Sequence, residues 1–395
     1  MPLLLSMVVS VAGDGAFFVA APLLAAALTD DPFAVSTVVA VAHLPWLLVG
    51  LPVGVIVDRT DRQLTMMVAD LTRALLLAFI AVAVFVDLIT VPVLVFLVAL
   101  VGVAQTFFDS AVQALIPSMV GRDRNVLTRT NGRIWAIDVT GRALVGPPLG
   151  SWTFGVAHML PFVLDALSFV VSATFVRRLP GAPARPGPHP PVWRAIGTGL
   201  RHLVDTVELR LLAWGTVAYN FGYHVAAGTL VLFVTKTLEL SNTAYGILLA
   251  LGAVGGISSA WFAGAVVRSF SHYQVMAGAV LVQAVSWLAV ALVAVPWVLG
   301  LALTVVGACN SLASVAVSVA RHQTTPDELL GRVVTTFRFA GLGASGLGAL
   351  VGGLVAARWG LGAPLAVGGG MLLLFAAGFR ARVRRAGPPG NDPAG

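Results

Sequence analysis

Long apolar stretches alternate along the chain with short polar segments that are rich in arginine. Each stretch is long enough to cross the hydrocarbon core of a bilayer, which takes about 20 residues of helix. Helices are expected because lipid offers the backbone no hydrogen-bond partners, and membrane-barrel strands would be shorter and alternating. Twelve spans are predicted, at residues 3–27, 34–57, 64–86, 91–114, 130–155, 158–176, 211–235, 243–266, 273–294, 296–319, 333–356 and 361–379.

The composition supports a membrane protein, since 58% of the residues are hydrophobic and only 10% are charged. A soluble domain carries about 25% charged residues, so this chain could not cover a soluble surface. The basic residues lie between the spans, as in cytoplasmic loops, which argues against a nucleic-acid partner. Cys309 is the only cysteine, which excludes internal disulfides and a zinc site built on cysteines. No metal and no cofactor are expected.

The basic residues also predict the orientation of the chain. Most follow even-numbered spans, whereas the opposite side holds only Lys236 and Arg358, so both termini are expected in the cytoplasm of a bacterial cell with the spans in its plasma membrane. The expected protein is a monomer with four parts, which are an N-terminal six-helix half (1–176), a linker with an amphipathic helix on the inner leaflet (177–210), a C-terminal six-helix half (211–380) and a basic, disordered tail (381–395). Two six-helix halves are typical of secondary transporters.

One loop motif connects the second and third spans. It consists of Gly54, Asp58, Arg59, Asp61 and Arg62. From the residues alone it is a charged turn with Asp61 as a helix N-cap. It also resembles the signature loop of the major facilitator superfamily, which implies an all-α membrane fold of twelve transmembrane helices in two pseudo-symmetric halves. In that family the charges form a latch between the halves, and the glycine allows close helix approach.

Further segments resemble the macrolide-efflux and enterobactin-exporter branch of that superfamily. They are residues 44–48 (LPWLL), 69–74 (ADLTRA) and 164–169 (LDALSF). This resemblance implies a proton-driven exporter. Gly146, Pro147 and Gly150 in the fifth span resemble the antiporter motif of the superfamily, although Arg142 replaces one of its usual glycines. A Gly-Pro pair that only packs helices is an equal alternative.

Ionisable residues inside the spans are costly and are treated as functional candidates. The first half contains Asp14, Asp70, Arg73, Asp109, Asp138, Arg142 and Asp165. Asp70 and Arg73, and likewise Asp138 and Arg142, have the spacing of pairs on one helix face. Asp109 and the second-half Arg338 are expected to lie near cytoplasmic ends, within reach of charged loops.

Asp14 and Asp165 have no partner on their own helices. Asp14 is predicted about 16 Å into its span, near the midplane where transporter sites lie. It is therefore the main candidate for a proton carrier, with Arg142 and Asp138 as its associated charges. The alternative is a structural aspartate bonded to a neighbouring helix, with Arg142 as the partner. Asp165 lies nearer the outer end of its helix and is expected to be structural.

Candidate substrate contacts are mostly aromatic. They are Phe17, Phe18, Trp135, Tyr219, Asn220, Tyr223 and His224. An aromatic wall with few polar groups suits an amphipathic organic molecule, although each side chain alone could simply pack against helices or lipid.

The predicted function is secondary transport, with a proton gradient driving export of a small hydrophobic or amphipathic molecule. An importer or facilitator with the same fold is the first alternative, and a membrane enzyme or scaffold without transport is the second. Lys236, the only lysine, has no glycine-rich phosphate loop around it, and the GxGxxG pattern at residues 341–346 lies within a span. The chain is therefore not expected to hydrolyse ATP or to be an enzyme. Sodium remains an alternative coupling ion.

Overall fold

The structure is a computed structural model that describes residues 2–120, 132, 134, 136–179 and 192–386. Within these ranges the regular structure is entirely helical. Eight of the described helices are long and apolar enough to cross a membrane. The other four spans are shorter or are interrupted along their length, and the predicted twelve-helix membrane fold is confirmed.

The first half contains six membrane helices. They are α1 (Pro2–Leu28), α2 (Pro32–Val41, Leu44–Leu48 and Gly50–Arg59), α3 (Arg62–Phe85), α4 (Val91–Val120), α5 (Val139–Val145 and Gly146–Val156) and α6 (Leu160–Val176). The first break in α2 falls at His43, just before Pro45, which cannot donate a helical hydrogen bond. In α5 the turn before Pro147 is π-helical, and its last bond runs from the Gly146 N–H to the Gly141 carbonyl.

The second half contains the remaining six membrane helices. They are α7 (Val207–Ala227, Leu230–Leu232 and the π-helical turn Phe233–Thr237), α8 (Asn242–Ser269), α9 (His272–Leu292), α10 (Pro296–Thr324), α11 (Asp327–Trp359) and α12 (Ala363–Ala386). Gly360 has φ +86° in the turn between α11 and α12, a conformation that favours glycine. α12 continues to Ala386, into the segment that the sequence assigned to a disordered tail.

The linker helix spans Val192–Asp205 and ends before the predicted amphipathic stretch does, because Thr206 adopts an extended conformation at the start of α7. Leu203 is buried, whereas Leu200 and Val204 are exposed. Gly199 lies against Arg332 of α11, so one side of the linker helix packs on the second half. Residues 180–191 of the linker, which include six prolines, lie outside the described residues.

Close packing within the second half depends on glycine. A Cβ on Gly255 would lie 1.8 Å from the Thr304 carbonyl oxygen, and one on Gly307 would lie 1.9 Å from the Gly252 carbonyl oxygen. The backbones of α8 and α10 therefore touch, which is the small-residue packing expected of membrane helices. In the first half α1 packs against α5 and α6, and α3 packs against α4 and α6.

The halves meet mainly through two helix pairs, α2 with α11 and α5 with α8. We call the end of the bundle where α1 begins and α12 ends the terminal face, and the opposite end the distal face. A Cβ on Gly353 would meet Ser36 at 1.8 Å, and one on Gly246 would meet Ser151 at 2.0 Å. Both contacts lie toward the distal face, so the halves are joined there.

Candidate functional site

A cluster of charged side chains fills the space between α1, α3 and α5. Asp14 is buried, with 6% of its surface exposed. The Arg142 guanidinium donates a hydrogen bond to Asp14 Oδ2 over 2.9 Å and another to Asp138 Oδ1 over 3.0 Å. Arg73 Nη1 lies 3.6 Å from Asp14 Oδ1. Asp14 therefore bridges two arginines from two other helices, partners that spacing along one helix could not reveal.

Arg73 is the most enclosed cation of this cluster, with 1% of its side chain exposed. It pairs with Asp70, as the spacing predicted, and donates to the side-chain carbonyl of Gln105. Its guanidinium carbon lies 4.5 Å and 3.9 Å from the ring centres of Phe108 and Phe169. Two aromatic faces and three polar partners thus hold Arg73 in one position.

The cluster reaches the second half through α4. Gln105 donates to Asp109 over 3.0 Å, and Arg338 of α11 lies 3.8 Å from Asp109. Arg338 also lies over the Trp46 ring at 4.6 Å. Asp109 and Arg338 thus face each other across the two halves, a contact that the expectation of nearby loop charges did not include. A chain of polar contacts therefore links α5 to α11.

Asp165 is fully enclosed beside the same cluster. Its Oδ1 accepts a hydrogen bond from Ser168 over 3.1 Å, and its Oδ2 has no hydrogen-bond partner within the described part of the chain. A Cβ on Gly13 would lie 2.1 Å from Oδ1, so this carboxyl occupies the gap that the glycine leaves in α1. This contact is consistent with the predicted structural role, which stays a prediction.

A cavity of about 200 Å³, called the first cavity, lies between the halves on the distal side of the cluster. Four of the predicted substrate contacts line it, namely Phe17, Phe18, Tyr223 and His224. His43 and Tyr245 line it as well. The sequence analysis missed both, although a histidine within an apolar span was a signal for His43.

His43 and His224 join the halves across the first cavity. Their Nε2 atoms lie 3.0 Å apart, and His224 Nδ1 lies 3.0 Å from the Asn220 carbonyl oxygen. The carbonyl requires a proton on His224 Nδ1, so His224 Nε2 accepts and His43 Nε2 donates. The neutral pair therefore makes a directional hydrogen bond between α2 and α7.

The other predicted substrate contacts lie elsewhere. Tyr219 and Asn220 line a second cavity, of about 250 Å³, among α7, α9, α10 and α11. The Tyr219 hydroxyl donates to the Val306 carbonyl oxygen over 2.8 Å, which ties α7 to α10. Asn220 donates to the Thr216 carbonyl of its own helix. Trp135 lies outside the described residues.

The antiporter-like motif packs α5 against α1. A Cβ on Gly146 would lie 2.5 Å from Gly15, and one on Gly150 would lie 2.5 Å from Ala16. The Pro147 carbonyl faces the other half, since a Cβ on Gly246 would lie 2.3 Å from it. The motif thus places α5 between the helix of Asp14 and the opposite half.

The contacts of the loop motif support the charged turn, and the predicted latch between the halves stays a prediction. Asp61 caps α3 by accepting from the Leu64 N–H over 3.0 Å, as the simpler interpretation predicted. Arg59 is exposed and Arg62 is buried, while the side chain of Asp58 lies outside the described part. Within the described part of the chain no atom lies within 4 Å of a Cβ built on Gly54, and the close helix approach expected there stays a prediction.

Gln63 stands where the superfamily motif usually has another basic residue. Its amide nitrogen donates to the carbonyl oxygens of Val176, Arg177 and Leu179, at 2.9 to 3.1 Å. It therefore caps the end of α6 and holds the motif loop to its own half.

The helix arrangement, the two halves and the buried charges beside a cavity define a transporter of the major facilitator superfamily rather than an enzyme. More specifically, the chain belongs to the transmembrane secretion effector family, which matches residues 3–389. It is also 29% identical over 377 residues to the multidrug efflux pump Tap of Mycolicibacterium fortuitum, across 92% of this chain and 90% of that protein.

Solved structures share the fold at low sequence identity. The nucleoside transporter NupG superposes with a TM-score of 0.76 at 13% identity, covering 97% of this chain and 98% of that one. A bacterial homologue of the iron transporter ferroportin gives 0.75 at 15% identity, with 96% and 97% covered. The human organic anion transporter MFSD10 gives 0.69 at 17% identity, with 96% and 99% covered. These similarities concern the fold.

Proposed function

We propose that this protein exports a small hydrophobic or amphipathic molecule across a bacterial plasma membrane in exchange for protons. In this proposal the terminal face is cytoplasmic, as the arginine distribution predicts. The described conformation, joined at the distal face, is then the one in which the halves are closed toward the outside. Asp14 is the proton carrier, and Arg142 and Asp138 set its charge state.

The observation that carries this proposal is the charge balance around Asp14. The carboxylates of Asp14, Asp70 and Asp138 share the guanidinium groups of Arg73 and Arg142. With all five of these groups ionised they carry one excess negative charge. Asp14, Asp70 and Arg73 are buried and by themselves carry the same excess, which is costly inside a membrane, whereas Arg142 and Asp138 are partly exposed. One proton removes that excess, so the cluster suits the uptake and release of a single proton.

Proton occupancy is coupled to the first cavity through Arg142 and Phe18. The Arg142 guanidinium lies 5.8 Å from the centre of the Phe18 ring, and Phe18 lines the cavity. A proton on Asp14 would weaken its bond to Arg142, since a neutral carboxyl attracts the cation less. We expect Arg142 to turn toward Asp138, which releases the Phe18 face that it covers.

The direction of transport is supported by the relative Tap, which is an efflux pump. The same fold also serves the nucleoside transporter NupG, so the fold alone does not set the direction. An exporter that exchanges protons for its substrate accumulates substrate on the acidic side of a membrane. A proton symporter accumulates its substrate on the alkaline side, so the two functions predict accumulation on opposite sides of the membrane.

Uptake of rhodamine B by energised inverted membrane vesicles tests the proposal. Rhodamine B is an amphipathic fluorescent dye with a carboxylate, and inverted vesicles expose the cytoplasmic side. Vesicles with the wild-type protein should load the dye, and a protonophore should abolish the loading, also in sodium-free buffer. Asp14→Asn should insert and fold normally but fail to load, because its amide cannot release a proton.

Asp87→Asn is the matched control, since Asp87 is exposed at the distal face and its φ of 53° suits asparagine. It should load dye like the wild type. Protonophore-sensitive loading by Asp14→Asn would refute the role of Asp14. Misfolding of Asp14→Asn alone would instead support the structural alternative, in which Asp14 only joins α1 to Arg142.

A further inference from the structure

The second cavity has a polar lining that contains two arginines. It is formed by Thr216, Asn220, Asn310, Ser314, Arg321 and Arg338, beside apolar side chains. Arg321 lies in the last turn of α10, at the terminal face, whereas Arg338 lies deeper, where α11 meets the first half. No carboxylate lines this cavity among the residues that the structure describes.

The two guanidinium groups are poorly neutralised. Within the described ranges Arg321 makes no ion pair, and its Nε is buried without a hydrogen-bond partner. Arg338 lies 3.8 Å from Asp109, which is long for a guanidinium and a carboxylate. Among the described residues, the one carboxylate near these two cations therefore approaches only Arg338. Because partly buried cations are costly without anionic partners, this cavity favours an anion.

Aromatic and apolar surfaces lie next to both cations. The Arg321 guanidinium carbon is 5.2 Å from the Phe337 ring centre, and Tyr219, Met276 and Phe337 line the cavity. The Arg338 guanidinium carbon likewise lies 4.6 Å from the Trp46 ring centre. A guanidinium carries its N–H groups along its edge, and pairs of these groups match a carboxylate or a phosphate.

We infer that the second cavity binds the anionic group of an amphipathic organic molecule, held by Arg321 and Arg338, with its apolar part against Tyr219, Met276 and Phe337. The inference rests on the proposed transport function, since it names the class of molecule that the protein would transport. An anionic group here would stay near the terminal face while the apolar part extends toward the first cavity.

Binding of three naphthalene compounds of one shape tests the inference without a gradient. They are naphthalene-2-carboxylate, its neutral carboxamide and the cationic naphthalen-2-ylmethylammonium, measured by equilibrium dialysis with the full chain in phosphatidylcholine nanodiscs. The wild type should bind the carboxylate about tenfold or more tightly than the amide, because a charge-assisted pair of hydrogen bonds is lost in the amide. Arg321→Gln and Arg338→Gln should each reduce that preference at least fivefold.

Arg358→Gln is the control, because Arg358 is an exposed arginine at the distal end of α11. It should leave the preference unchanged. Arg321→Lys keeps the charge and should keep a preference for the carboxylate even if the glutamine variant does not fold. Equal binding of carboxylate and amide by the wild type, or an equal loss in Arg358→Gln, would overturn the inference.

Two further arms separate the possible outcomes. If added phosphatidylglycerol competes with naphthalene-2-carboxylate, the natural ligand of the cavity is a lipid headgroup. If it does not compete, the natural ligand is a free organic anion. Both results support an anion site. If the wild type fails to bind naphthalene-2-carboxylate but still transports dye with the proton gradient, this inference is refuted and the proposed function stands. Intact carboxylate binding without proton coupling would refute the proposed function and leave the anion site standing.

Discussion

Replacement of Arg73 by methionine tests the charge cluster most severely as a structural unit. Methionine has a similar length and fills the space between Phe108 and Phe169, but it leaves Asp70 and Asp14 without this cation. The Arg73 side chain is 1% exposed and that of Asp70 is 0% exposed, so solvent does not screen the attraction between them. Removal of one partner of such a buried pair costs about 3–5 kcal/mol.

The loss of two aromatic contacts adds about 1–2 kcal/mol, so Arg73→Met should destabilise the protein by at least about 4 kcal/mol. The matched double variant Arg73→Met with Asp70→Asn removes the stranded charge together with the cation. It should recover about 2 kcal/mol, because coupled residues deviate from additivity by amounts of this order. The free energy of unfolding of Asp70→Asn alone should lie between those of the wild type and Arg73→Met.

Unfolding of the purified protein in mixed detergent and dodecyl sulfate micelles, followed by circular dichroism, measures these differences. A cost below about 1 kcal/mol for Arg73→Met would refute the view that Arg73 is a buried anchor. A double variant no more stable than Arg73→Met would show that the cost does not come from the stranded Asp70 carboxylate.

Three further changes have distinct expected outcomes. Asp30→Cys with Lys236→Cys places two thiols at the ends of an ion pair of 2.8 Å at the distal face, so a bis-methanethiosulfonate crosslinker about as long as a lysine side chain should stop dye transport until it is reduced, as gel mobility and transport assays would show. Gly307→Val should cost about 2 kcal/mol or more by forcing α10 away from α8, whereas Gly278→Val, where no atom of the described residues lies within 4 Å of the added Cβ, should cost under 1 kcal/mol in the same unfolding assay. Asp165→Asn should change the unfolding free energy by under 1 kcal/mol, because one carboxyl oxygen has no hydrogen-bond donor within the described part.

The membrane fold could be predicted from the sequence because one strong effect decides it. Backbone groups in lipid must bond within their own segment, so a long apolar run becomes a helix. The breaks in α2 and α5 depend on Pro45 and Pro147, and hydropathy does not detect them. The end of the amphipathic helix at Thr206 is likewise a local conformational choice that helical periodicity missed.

The site was most predictable where partners share a helix, although the depth of Asp14 and Arg142 also suggested their contact between helices, which forms. Asp70 with Arg73 and Asp138 with Arg142 follow from helical spacing, and both pairs form. The contacts of Asp14 with Arg73 and Arg142 join three helices, and their pairing depends on how α1, α3 and α5 pack. The same limit applies to Asp109 with Arg338 and to His43 with His224, which join the two halves.

The central claim is that a proton gradient drives this transporter by exchange. Purified protein in liposomes, with rhodamine B outside and an imposed pH gradient, tests it directly, because the sign of the result does not depend on the orientation of the protein. Exchange predicts that the dye accumulates in liposomes with an acidic lumen, beyond liposomes that contain Asp14→Asn or no protein. Accumulation only in liposomes with an alkaline lumen, or equal dye movement without a gradient, would contradict the proposed proton-coupled export.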